Sequence, residues 1–199
     1  MNDVDRHLQE IAEIRLLMER SSKFLSLSGL SGVSAGIIAL AGCAAAYWRL
    51  NIAEAGDKGA LLTFLAVDAL LVLVAAIAAA IVFTVRLARR KGLEVWNRNA
   101  RYLLANLGIP LAAGGAFCLM LLLHGALSLV PAVMLAFYGL ALMNASKVTI
   151  NEIRYLGIVE LALGVVAGFL PGNGLLFWGV GFGVLHIAYG LFMYRKYEQ

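Results

Sequence analysis

Six apolar stretches, each near the length of a bilayer crossing, predict an all-α polytopic membrane protein. Its six transmembrane helices pair as three hairpins, preceded by an amphipathic cytoplasmic helix. Two further observations carry the same prediction. Hydrophobic residues are 62% of the 199 and charged residues 14%, with a mean hydropathy of +0.85, so too little polar surface exists to cover a water-soluble globule of this length. Fourteen of the sixteen Lys and Arg, moreover, fall on alternate connections, on one side of the implied membrane.

Residues 1–25 form the first unit and 26–199 the transmembrane domain. Within the first, Val4, Leu8, Ile11, Ile14, Leu17 and Met18 recur at helical spacing, while Glu10, Glu13, Glu19, Arg20 and Lys23 take other faces. Such a helix docks on its own cytoplasmic loop, lies at the membrane interface, or pairs with a second copy or another membrane protein. It lacks the short basic region, apolar core and cleavage site of a removable signal peptide, so the first span is expected to insert the chain.

About 20 apolar residues cross a bilayer, which places the spans near 27–48, 60–85, 102–123, 126–146, 154–170 and 174–194. Tyr47, Trp48, Phe177 and Trp178 form one aromatic belt, and Trp96, Tyr102, Tyr155, Tyr194 and Tyr197 the other. His124-Gly125 and Pro171-Gly172-Asn173-Gly174 are tight external turns. The cations of the N-terminal segment, of residues 86–101, of Lys147 and Arg154, and of Arg195 and Lys196 lie on the other side, leaving Arg49 and Lys58 outside. The expected location is the bacterial inner membrane with both termini cytoplasmic. The net charge of +4 is explained by anionic headgroups beside the spans, so no nucleic-acid partner is expected.

A weak repeat links the odd spans: Lys23-Phe24-Leu25 precedes Gly36 by the interval that separates Arg101-Tyr102-Leu103 from Gly114, and Arg154-Tyr155-Leu156 precedes Gly164 by three residues fewer. Tyr138-Gly139-Leu140 and Tyr189-Gly190-Leu191 echo one another in the even spans. Common ancestry of the hairpins is one explanation; the ordinary look of a cytoplasmic helix start is the other.

The last two spans are the richest chemically. Gly157, Glu160, Gly164 and Gly168 share one helical face, as do Gly179, Gly183, His186 and Gly190. Small residues let helix backbones approach in lipid, so the two stripes are expected to press together. Glu160 lies twelve residues before Gly172 and His186 fourteen after it, about 18 and 21 Å from that turn at 1.5 Å per residue. An unpaired charge in hydrocarbon costs about 2.5 kcal/mol or more, so acid and imidazole should face each other. Their pairing is either a register-fixing contact or a proton or ligand site. Asp68 in span two is a shallower candidate for a cavity or ion contact. Gly32 and Gly36 give span one a packing stripe, with Ser28, Ser31 and Ser34 bonding backbone carbonyls. Pro110 and Pro131 are expected to kink spans three and four, and Asn144, Ser146 and Lys147 to cap the inner end of span four. Cys43 and Cys118 both lie in outer thirds of their spans and are expected to remain thiols.

The punctuation by Gly157, Gly164, Gly168, Pro171, Gly179, Gly183 and Tyr189-Gly190 resembles the hairpin of the HdeD-type acid-resistance membrane proteins, from about residue 155 onward. That resemblance implies a small six-helix bacterial membrane protein built of duplicated hairpins. The long charged N-terminal helix and the titratable residues inside the spans depart from it.

No serine, cysteine or carboxylate pair has hydrolase spacing, and no glycine-rich phosphate loop is present, so an enzyme is the least supported class. No metal or other cofactor is expected, a single mid-membrane His being poor evidence for haem. Two activities remain: a non-enzymatic assembly or regulatory bundle, binding itself or another membrane protein through residues 1–25, and a small proton-linked transporter or channel using Glu160, His186 and Asp68. A reporter fused after Gln199 is expected to be active only as a cytoplasmic fusion; periplasmic activity would invert the topology.

Overall fold

The computed structural model describes His7 and residues 28–52, 58–92 and 94–198. Apart from His7, the expected amphipathic helix over 1–25 lies outside the described residues. The described residues form helices and connecting turns with no strand. In order, α1 is Gly29–Ile52, α2 Lys58–Arg90, α3 Arg98–Leu123, α4 Val130–Ala145 and α5 Ile153–Phe169. A sixth rod follows over 174–197, made of α6 (Gly174–Trp178), a π-helical segment (Gly179–Leu185) and α7 (His186–Tyr197). Five of the six rods are long and apolar enough to cross a membrane; the exception is α5, whose 17 residues extend about 26 Å.

Local chemistry sets the ends. Gly92, at φ +65°, follows α2 and stops it in the left-handed conformation that glycine tolerates, with its N–H on Arg89 O at 3.2 Å. Asn97 caps α3, its Oδ1 accepting from Ala100 N at 2.9 Å. Gly125, at φ +73°, turns the chain between α3 and α4. The expected kink at Pro131 is corrected: Pro131 sits in the first turn of α4, where its missing N–H costs no helical hydrogen bond. Pro110 does lie inside α3. At the end of α4, Ser146 Oγ donates to Met143 O and Lys147 Nζ to Asn144 Oδ1, while Asn144 Nδ2 donates to Asn106 O at 3.0 Å and so also ties α4 to α3. The start of α1 is clasped from the far end of the chain, where the Glu198 carboxylate accepts from Gly29 N and from Ser28 Oγ.

Two seams of close backbone approach organise the bundle. At the α4–α5 seam, a Cβ on Gly139 would come 2.6 Å from Gly157 O, and one on Gly157 would come 2.7 Å from Gly139 O. Gly164 continues the seam against Ala136 N and Ala132 O, and Gly168 more loosely against Ala132 Cβ. The second seam joins α1 to the sixth rod. There Gly32 faces Gly190, Gly36 faces the Gly183 carbonyl, Gly183 receives Leu40, and Gly179 receives Cys43 Sγ. The expectation that the stripes of spans five and six press together is therefore corrected. The span-five stripe meets α4 and the span-six stripe meets α1, where glycines let main chain or a side chain approach closely, and dispersion is what lipid leaves to hold helices together. α1 packs along α2 and α3 along α4, while α5 packs chiefly on α4.

A methyl added at Gly139 meets backbone that cannot yield, whereas nothing lies within 4 Å of a Cβ at Gly108. Gly139→Ala is expected to lower the unfolding free energy in detergent by about 1–3 kcal/mol. Gly108→Ala should raise it by about 0.5–1 kcal/mol through helix propensity. Chemical denaturation of both variants checks the pair.

Candidate functional site

The site forms where α4, α5 and the sixth rod converge. Glu160 stands seven residues into α5 from Ile153 and is fully buried. His186, 7% exposed, opens α7 directly after the π-helical segment. The run Gly179-Val180-Gly181-Phe182-Gly183 explains that segment: glycines weaken the α-helical preference, and a widened turn presents a carbonyl to a side chain. His186 Nδ1 lies 2.9 Å from Gly181 O, and Nε2 lies 2.7 Å from Tyr138 Oη on α4. A carbonyl only accepts, so Nδ1 carries the hydrogen and the Tyr138 hydroxyl donates to Nε2.

Glu160 Oε1 is 3.4 Å from His186 Nδ1, while that N–H is directed to Gly181. Neither Glu160 oxygen has a hydrogen-bond partner among the described residues, although both are buried. Gly181 leaves the room that two side-chain ends occupy, since a Cβ there would fall 2.6 Å from Glu160 Oε2 and closer still to Leu135 Cδ2. Phe182 lies against both Tyr138 and His186, with ring centroids 5.0 and 5.9 Å away, and Trp178 backs Phe182 at 5.2 Å. At 3.4 Å the acid and the imidazole are near enough to exchange a proton.

Asp68 belongs elsewhere. Half-buried, it borders the α1–α2 seam, where a Cβ on Gly42 would lie 3.5 Å from its carboxylate. Cys43 and Cys118 are both free of disulfide bonds, and Cys43 Sγ lies 3.7 Å from Leu175 O. Ser31 and Ser34 bond backbone carbonyls of Ser28 and Leu30. Gly32, Gly36, Gly164, Gly168, Gly179 and Gly183 act in the seams. Two surface cavities lie away from the Glu160–His186 pair: one of about 240 Å³ bordered by Val133, Phe137 and Gly164, and one of about 590 Å³ bordered by Cys43, Tyr47, Asn51 and Asn173. Among the described residues no group of three His, Cys, Asp or Glu side chains converges as a metal site.

Four residues at or near the site escaped the sequence reading as participants: Tyr138, Tyr189, Glu152 and Glu198. The echoed Tyr-Gly-Leu of the even spans was the available signal for the two tyrosines. Tyr189 lies one turn past His186 and has a buried hydroxyl. At the start of α5, Glu152 Oε1 accepts from Lys196 Nζ at 2.5 Å and from Tyr197 Oη at 2.6 Å. Partial burial pushes the Glu152 carboxyl up, but the hydrogen bonds from Lys196 and Tyr197 outweigh it and hold the group below its ordinary value. Comparison of the chain with protein-family models, curated proteins and solved structures returns no match.

A depressed folded-state value means that the Glu152 clasp stabilises the protein above the ordinary carboxyl value of 4.5 and is lost as pH falls through the lower, folded value. Glu152→Gln is therefore expected to reduce the melting midpoint at pH 7 and to melt with wild type once pH is well below 4.5. Thermal scans across pH in one detergent test the sign.

Proposed function

We propose that this chain is a bacterial inner-membrane protein of six crossings, arranged as three hairpins with both termini cytoplasmic, that works as a small proton-linked transporter or channel. One observation carries the reading: both buried oxygens of Glu160 lack hydrogen-bond donors although His186 stands 3.4 Å away. A carboxyl retained to fix helix register gains from being fully satisfied, because an unpartnered buried polar group costs about 1–3 kcal/mol. A carboxyl kept without fixed donors is suited to changing its protonation. Intramembrane acids and imidazoles that face the bundle interior commonly mark proton or substrate paths. The 26 Å of α5 supports a sixth crossing, since flanking turns supply the remainder of a hydrocarbon layer of about 30 Å. Asp68 stays in this proposal as a separate cation contact near the α1–α2 seam. The HdeD-type likeness of the last hairpin supports fold and location in this reading, not activity.

A second reading is favoured by α2. Among the described residues its one extensive neighbour is α1, and Leu70, Leu71, Val74 and Ile81 stay exposed along it. That face, together with residues 1–25, fits self-association or another membrane protein. Native mass spectrometry of a chain lacking residues 1–22 tests it, and unchanged stoichiometry and co-purifying proteins would remove it.

For the proton-linked reading, proteoliposomes holding a pH-sensitive dye are expected to acidify about tenfold more slowly with Glu160→Gln than with wild type, a loss within the range of a proton-transfer group. The variant should melt no lower than wild type. Equal flux would refute the reading.

A further inference from the structure

The two sides of the Glu160–His186 pair differ in kind. Toward the Gly172 end the junction is filled by Leu135 and Ala167, both wholly buried, with Leu163, Phe177 and Phe182 packed on them. Apolar side chains from all three converging rods meet there. Toward the Glu152 end, hydroxyl groups follow one another. Tyr138 Oη is on His186, and Tyr138 and Tyr189 pack on the same cluster of Leu142, Ile153 and Leu156. The Tyr189 hydroxyl is buried without a partner among the described residues. The same cluster holds Ile153, the residue next to Glu152. Glu152 itself is held at the bundle end by Lys196 and Tyr197.

We propose that protons reach the Glu160–His186 pair from the Glu152 end, through Tyr189 and Tyr138, and that the apolar plug around Leu135 and Phe182 closes the opposite end. This rests on the proton-linked reading and adds its direction of access. Each transfer balances. Glu152, once protonated, passes its proton to the Tyr189 oxygen as that hydroxyl releases its own hydrogen toward Tyr138, water bridging the gaps. Tyr138 then gives its hydrogen to His186 Nε2, and Nδ1 yields its hydrogen to the Glu160 carboxylate. The net change is one proton from Glu152 to Glu160; it leaves His186 with its hydrogen on Nε2, so a flip of the imidazole ring, together with rotation of the two hydroxyls, resets the chain. A hydroxyl with no fixed partner is free to make that rotation.

The test is infrared spectroscopy of proteoliposomes after a pH step, following the protonated-carboxyl stretch of Glu160, which Glu160→Gln identifies by its loss. Tyr189→Phe and Tyr138→Phe are each expected to slow the appearance of that band about tenfold or more, with the pH midpoint of the band unchanged for Tyr189→Phe. Wild-type rates in both variants overturn the path while leaving Glu160 as a titrating group. A shifted midpoint without a slower rate gives Tyr189 a structural role and also overturns it. No pH-responsive Glu160 band in wild type removes the proton-linked reading, and the path with it.

Discussion

Hydrocarbon solvates leucine as well as a protein interior does, so burial alone cannot gather these helices; what gathers them is main chain lying against main chain. The seams at Gly139–Gly157 and along Gly29, Gly32 and Gly36 bring backbones closer than any side chain would permit. They also fix everything else. With α5 locked to α4 and the sixth rod locked to α1, α5 and the sixth rod touch more lightly, and midway along them, around Gly181, the acid and the imidazole meet. The polar site is thus a by-product of two apolar contacts that do not include it.

Placing an acid at such a junction carries an energetic burden that apolar residues would avoid, and the neighbouring chemistry offsets only part of it. His186 is well satisfied, by Gly181 on one nitrogen and Tyr138 on the other. Glu160 is not. The asymmetry separates the two side chains: the imidazole is held and oriented through both its nitrogens, while the carboxyl has no hydrogen-bond partner among the described residues. The π-helical turn belongs to the same design, because it brings a carbonyl to the ring that an α-helical turn would have kept within the helix.

Much of the fold was legible because the bilayer demands long apolar runs. The spans were placed within a few residues of the observed rods, and the misses are systematic: α2 runs to Arg90 and the last rod to Tyr197, since helical hydrogen bonding continues past the apolar boundary into the basic ends. Partner choice was not legible. Periodicity tells which glycines share a face but not which helix that face meets, so the stripes of Gly164 and Gly183 are expected against each other, whereas Gly164 meets Ala136 and Gly183 meets Leu40. The meeting of Glu160 with His186 followed from matched depth, an argument that needs only helical rise. Tyr138 lies 22 and 48 positions from those two, on another helix, and its echo of Tyr189 in the repeated Tyr-Gly-Leu marks a likeness between the even spans without telling that its hydroxyl meets His186.

The clasp on α1 has a consequence for how the molecule is made. Gly29 and its acceptor on Glu198 are separated by 169 positions, so during synthesis the first membrane rod emerges long before its N-terminal amides find their carboxylate. Until then those amides must be satisfied by water or headgroups. Completion of the last rod and of the first are in this way linked: until residue 198 has been made, the start of α1 lacks the carboxylate that accepts from Gly29 N.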